Sequence, residues 1–192
     1  MVIRIGLDSW NEVDISSGGD NTDTGYYLRK GIDPKNCTSG MNRLSGTDQI
    51  LFRYAEVLLS YAEAQNEAVG PDQSVYDAVN EVRNRVDLPD LPEAMTQAEM
   101  RKELVRERRV ELFFEEKRWY DLIRTKAIEE IYDGRKSRGM RIDLVNGTWV
   151  YSTFECGIAE MKFNAPKNYL LPIPITALDR NTKLIQNPGY EQ

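Results

Sequence analysis

Five glutamates recur at every fourth position: Glu99, Glu103, Glu107, Glu111 and Glu115. On a helix that spacing puts them along one slowly drifting face, where like charges four apart repel. Carboxylates arranged this way have three chemical uses. They can dock the helix through ion pairs, with Lys102, Arg106 and Arg118 three residues on and Arg53, Arg83 and Arg85 upstream as partners. They can supply an acid and a nucleophile for glycoside hydrolysis, since Glu107 and Glu111 stand about one helical turn apart. They can hold a pair of metal ions. The second use suffers because both carboxylates would lie on one side of a substrate instead of flanking it. The third requires Glu-x-x-His from two helices, and the chain contains no histidine. The expected role is the first, an ion-pair network that docks this helix on what precedes it.

The missing histidine also excludes the Ser-His-Asp triad, the Cys-His pair, His-containing zinc sites and imidazole proton transfer. There is no Gly-rich phosphate loop, no Gly-x-Ser-x-Gly and no Cys-x-x-Cys. Residues 20–25, Asp-Asn-Thr-Asp-Thr-Gly, have the oxygen density of a calcium loop. They fail the EF-hand template, because Thr22, Thr24 and Gly31 occupy its third, fifth and twelfth positions. A polar loop is expected there, with no metal and no cofactor anywhere.

Aromatic residues outside the helical stretches offer a different chemistry. Trp10, Tyr26, Tyr27, Trp149 and Tyr151 sit in polar or strand-like contexts, and Asp8 and Asn11 flank Trp10. Rings can stack on the apolar faces of sugars while neighbouring carboxylates and amides bond the hydroxyls. The competing role for each ring is to plug a core. The candidate ligand-binding set is Asp8, Trp10, Asn11, Tyr26, Trp149 and Tyr151. Trp119, beside Leu122 and Ile123, is assigned to the core.

These residues must be positioned by elements that the pattern also predicts. Residues 1–46 are loop-like, punctuated by Ser16-Ser17-Gly18-Gly19 and by Pro34, Gly40 and Gly46. Residues 47–133 are helical. A first helix is capped near Thr47-Asp48, with one apolar face of Leu51, Tyr54, Ala55, Leu58 and Ala62. A second flank of Ile50, Val57, Tyr61, Ala64 and Ala68 implies cover on more than one side. Gly70-Pro71 ends it. A second helix, capped by Ser74, buries Val75, Ala78, Val79, Val82 and Val86, and the pair forms an αα-hairpin of the tetratricopeptide-like kind. Thr96 and Glu99 form a capping box for a helix running to about Glu116, followed by another from Lys117 to about Tyr132. Residues 134–192 differ: Asn146-Gly147 between β-formers is a strong hairpin signal. The rest is irregular, with one helical turn near Ala177-Leu178.

Composition bounds the function. The 192 residues carry 31 acids and 25 bases, a net charge of −6, which argues against a nucleic-acid partner. No stretch approaches the roughly 20 apolar residues of a membrane span. Cys37 and Cys156 either remain unpaired or are brought together by the fold. The first ten residues do not read as a signal peptide, so the protein is either cytoplasmic or the chain lacks its own beginning.

Three segments together resemble the SusD/RagB family of surface lipoproteins from Bacteroidota. They are residues 53–64 (Arg-Tyr-Ala-Glu-Val-Leu-Leu leading into Tyr-Ala-Glu-Ala), residues 107–122 (Glu-Arg-Arg-Val-Glu-Leu, then Arg-Trp-Tyr-Asp-Leu), and Leu171-Pro172-Ile173-Pro174 with Gln186-Asn187-Pro188-Gly189-Tyr190. Residues 24–30 form a weaker fourth. The resemblance implies a mainly α fold with tetratricopeptide-like helix pairs, a small β-hairpin and an irregular C-terminal segment. It implies non-catalytic binding of oligosaccharide, polysaccharide or peptide nutrients at the outer membrane. The implied partner is a SusC-like TonB-dependent transporter. The matched motifs are scaffold in that family, so no residue is carried over as a binder. The resemblance makes residues 1–192 the C-terminal portion of a SusD-like domain, without the lipid-bearing cysteine and most helix pairs. From another class, a helical adaptor holding a protein through the 47–87 hairpin remains open.

Overall fold

Among the described residues the architecture is mainly helical with one two-stranded antiparallel sheet, as the periodicity predicts. The computed structural model describes residues 24–26, 28, 30–31, 48–132, 134–157 and 160–191. They fall into two compact units, Asp48–Asp121 and the described residues outside that span.

The first unit holds α1 (Tyr54–Val69), α2 (Gln73–Asn84), α3 (Gln97–Glu111) and the start of α4 (Arg118–Arg124). Its core is built from Leu59 and Ala62 of α1, Val75, Ala78, Val79 and Val82 of α2, Leu91, and Met100 and Leu104 of α3. The inward face of α1 is Ala55, Leu59, Ala62 and Asn66, one step round from the predicted face. Leu51 and Tyr54 are exposed instead. Apolar residues occur on more than one face of this helix, Leu58 beside Leu59 and Val57 and Tyr61 beside Ala62, so periodicity alone could not choose among its faces. Cover on more than one side is also corrected: Val57, Tyr61, Ala64 and Ala68 are exposed.

Both predicted caps of the helical hairpin shift. α1 begins at Tyr54, and its N-cap is Arg53 in extended backbone with no side-chain cap bond. Residues 48–50 are not helical. The Arg53 guanidinium is drawn away to α3 and the turn after it, as described below. α2 is capped by Asp72, whose carboxylate accepts from the Val75 N–H, while Ser74 Oγ donates to the same oxygen at 2.6 Å. An ionised carboxylate is the stronger acceptor for the orphan N–H groups. Val86 lies beyond the end of α2 and is exposed. The capping box at α3 forms as expected, Thr96 and Glu99 bonding each other's backbone N–H. The expected helix from Lys117 to Tyr132 is two short ones, α4 and α5 (Ile128–Tyr132).

The second unit has a small core of Leu122, Ile128 and Phe163, with the Phe163 and Tyr169 rings edge to face at 4.9 Å. Its hairpin pairs β1 (Arg138–Val145) with β2 (Thr148–Glu155). Asn146 and Gly147 both take positive φ, 50° and 78°, the backbone of a two-residue turn whose twist matches the strands. The tail carries α6 (Ile175–Arg180), where one helical turn was predicted. Cys156 is buried with a free thiol; Cys37 lies outside the described residues.

Candidate functional site

The glutamate stripe is the first place to look for chemistry; Glu99 closes the capping box with Thr96, and the carboxylates of Glu103, Glu107, Glu111 and Glu115 are engaged by arginines. Arg53 bonds Glu115 through Nε at 2.8 Å and Glu111 through Nη1 at 2.6 Å, and its Nη2 donates to the Glu111 carbonyl at 2.8 Å. Arg85 reaches Glu111 at 2.8 Å, Arg83 reaches Glu107 at 2.8 Å, and Arg106 pairs with Glu103. The Glu115 hydrogen bond, opposed by burial and assisted by Glu111, raises the Arg53 guanidinium above its usual range. A nucleophile or proton donor needs lone pairs or a proton free to face a substrate. Glu107 and Glu111 face guanidinium groups inside the helical layer instead. The expected docking role holds, with Arg53, Arg83 and Arg85 as the cross-helix partners. Among the described residues no cluster of three or more metal-ligating side chains occurs.

The same geometry explains the three sequence segments singled out above. Arg53, at the head of the first, clamps Glu111 and Glu115 in the second. Within the second, Arg108 forms a two-pronged bond to Asp121 at 3.0 and 3.1 Å and donates to Ser60 Oγ in the first. In the third, the Gln186 amide bonds both the N–H and the C=O of Ile173, and Asn187 Nδ2 donates to the Leu171 carbonyl. These motifs fasten backbone to backbone and helix to helix.

The aromatic candidates lie on a different element. Register fixes which side chains share a face: Trp149 stands opposite Leu144, Tyr151 opposite Ile142, and Thr153 opposite Met140. The Met140 N–H points away from β2, to the Thr24 carbonyl at 2.9 Å. Met140–Thr153 is therefore a non-hydrogen-bonded pair. By the two-residue alternation so are Ile142–Tyr151 and Leu144–Trp149, the pairs whose side chains approach most closely. Trp149 and Tyr151 are 56% and 63% exposed, with Leu144 and Ile142 exposed beside them. Two residues along a strand set their Cα atoms about 7 Å apart. The result is an uncharged row of two rings edged by two aliphatic side chains. The opposite face carries Arg141 and Asp143, with Arg141 over the Phe154 ring.

Tyr26 is exposed and sits two residues beyond the Thr24–Met140 bond, at the base of the hairpin. Its N–H bonds Thr24 Oγ1 at 3.3 Å. Asp8, Trp10 and Asn11 lie outside the described residues, as do Tyr27 and most of residues 20–25. Of the candidate set, the fold brings Trp149 and Tyr151 together. The sequence reading missed their neighbours Ile142 and Leu144. The signal was available, since counting outward from Asn146-Gly147 gives the register. Trp119, assigned to the core, is 48% exposed. Leu122 is the buried residue of the seven-residue α4, and so short a helix offers little inward surface to a second large side chain.

A family model described as the SusD family matches residues 6–190. This chain belongs to the SusD family. A SusD-like protein of Formosa agariphila, P2, is 34% identical over 173 residues, which is 86% of this chain and 29% of that protein. A solved SusD-like protein from Bacteroides fragilis is 35% identical with a TM-score of 0.73, over 88% of this chain and 31% of that one. A SusD superfamily protein from Parabacteroides distasonis is 30% identical with a TM-score of 0.52, over 73% and 27%. The chain thus spans under a third of the length of these SusD-like relatives. Among its described residues no helix is long and apolar enough to cross a membrane.

Proposed function

We propose that this chain is part of a non-catalytic, nutrient-binding SusD-like protein of the bacterial outer-membrane surface. It captures oligosaccharide or peptide and passes it to a SusC-like TonB-dependent transporter. The observation that carries the reading is the pair of exposed rings side by side on one hairpin face, flanked by uncharged neighbours, in a chain of the SusD family. Capture needs no bond making. Trp149 and Tyr151 stack on the ring faces of a sugar and shed water from them, while hydroxyls at the rim of the stack keep their hydrogen bonds. Residues 1–192 act together as one portion of the larger SusD-like domain.

Affinity electrophoresis through gels containing a panel of polysaccharides tests this. Retardation by at least one glycan is expected, and Trp149→Ala should remove most of it. Retardation that Trp149→Ala and Tyr151→Ala both leave intact would move the site elsewhere. Release of new reducing ends that stops with Glu107→Gln would overturn the non-catalytic reading.

One observation favours a second reading. Tyr54, Val57, Tyr61, Ala64 and Ala68 form an exposed apolar stripe along α1, as an adaptor would use to hold a protein helix. Tight binding to the transporter, unaffected by glycan and lost on Tyr61→Asp, would support it.

A further inference from the structure

We propose that the glycan held by the hairpin is a neutral, ribbon-shaped chain engaged through at least two consecutive sugar units. This rests on the glycan-binding reading above and narrows it to a ligand class.

Shape is the first argument. Trp149 and Tyr151 rise from one strand in a single row about 7 Å apart, each more than half exposed. Leu144 and Ile142 extend the same surface from the paired strand. The surface is therefore a short platform. A glycan with equatorial linkages, such as a β-1,4-linked glucan or mannan, lies as a ribbon and lays successive ring faces along a row. A coiled α-1,4-linked glucan turns its ring faces around an axis, so a straight row meets one unit and leaves the next. A platform of two rings also gives one sugar only half of the contact.

Charge is the second argument. Around the rings, from Met140 to Leu144 and from Trp149 to Thr153, the side chains on this face are uncharged, and its charged residues, Arg138 and Glu155, stand opposite each other at the far end of the strands, four residues along from Ile142 and Tyr151. Arg141 and Asp143 project on the other face, and the acids in the whole chain exceed the bases. A uronate or sulfated sugar stacked on the two rings would lose hydration with no counter-charge beside it in return, since Arg138 lies four residues away and faces Glu155. A neutral sugar loses only the water over its apolar faces.

Titration calorimetry of the intact 192-residue chain tests the proposal with cellohexaose and mannohexaose as neutral ribbons, maltohexaose as a coiled neutral chain, and hexagalacturonate as an anionic one. The two ribbons should bind, with glucose and mannose at least about tenfold weaker. Trp149→Ala and Tyr151→Ala should each weaken binding about tenfold or more. Trp149→Phe and Tyr151→Phe, which keep a ring and the fold of the hairpin, should retain most of it. Ser152→Ala, on the opposite face, should change nothing. Tightest binding to maltohexaose or to hexagalacturonate, still sensitive to Trp149→Ala, would overturn the neutral-ribbon class and leave the glycan reading standing. Binding of no glycan, or binding indifferent to both rings, would overturn the glycan reading itself.

Discussion

Arg83 and Glu107 bury about nine-tenths of each side chain while holding each other at 2.8 Å. Removing one partner of such a pair leaves the other charge buried and uncompensated, which costs roughly 3–5 kcal/mol. Arg83→Ala should therefore lower stability by about that amount in urea unfolding. Arg106→Ala breaks the largely exposed pair with Glu103 and should cost under about 0.5 kcal/mol. Equal effects would mean that burial does not govern this network. Two further residues report on backbone strain and close approach. Glu116 is exposed with φ of 61°, a left-handed conformation that costs a side-chain-bearing residue about 1–2 kcal/mol. Glycine there should raise stability by roughly 0.5–1 kcal/mol, because part of the relief is offset by its extra unfolded-state freedom. At Gly139 the reverse holds. A Cβ would stand 2.5 Å from the Phe154 ring and 2.7 Å from the Thr24 carbonyl. Gly139→Ala should cost about 1–3 kcal/mol and loosen the Thr24–Met140 bond, measurable as faster amide exchange at Met140.

At the scale of elements, the turns and the α3 cap were the easiest parts to read, because their signals are local. Asn146-Gly147 sets both strands, and Thr96 with Glu99 sets the start of α3, each through a bond within a few residues. The start of α1 was not legible for a tertiary reason. Thr47 and Asp48 are good caps in isolation, yet Arg53 bonds Glu111 and Glu115 some 58 and 62 positions later, and the helix starts where that clamp allows. The glutamate stripe was legible because repulsion between like charges demands partners, and the arginines of the preceding hairpin were the ones available. The candidate site was legible only in part. The two hairpin rings could be placed from turn and period. Trp119 could not, because whether a ring on a short helix is inside depends on how little that helix buries. Leu59 shows the same limit from the other side: it is fully buried, but in the apolar run Val57-Leu58-Leu59 it looked no different from Leu58. Leu59→Ala should cost about 2–5 kcal/mol, and Val57→Ala, on the exposed flank, under about 1 kcal/mol.

For the whole molecule, titration follows from composition. With no imidazole in the chain, stability should be nearly flat between pH 6 and 8. Three carboxyls sit below their ordinary values: Glu67 through Arg101, Asp72 through Ser74 and then Gln65, and Glu99 through the Thr96 backbone N–H and hydroxyl. Each holds protons less tightly folded than unfolded, so its stabilisation is present above about pH 4.5 and is lost as the pH falls further. Tyr169 shifts the other way. Its hydrogen bond to Glu129 pushes it up to about 12, so that contribution fades as the pH climbs above about 10. Thermal melts across this range should show a plateau with an acid shoulder and an alkaline one; a step between pH 6 and 7 would contradict this assignment. Over 88% of its length the chain follows the fold of a solved SusD-like protein at a TM-score of 0.73. The motifs that mark the family hold that fold together, and the recognition proposed above is placed on the exposed rings instead.

The central claim is that the hairpin face, and not the helical layer, meets the glycan. The most direct measurement is a ¹⁵N-resolved NMR titration of the chain with cellohexaose. Progressive shifts of the Trp149 indole N–H and of the amides from 148 to 152 and 142 to 144 are expected, with residues 54–84 unmoved. Shifts centred on residues 54–84 with the hairpin unchanged, or no shift anywhere for any glycan that the full chain retains on a gel, would contradict it.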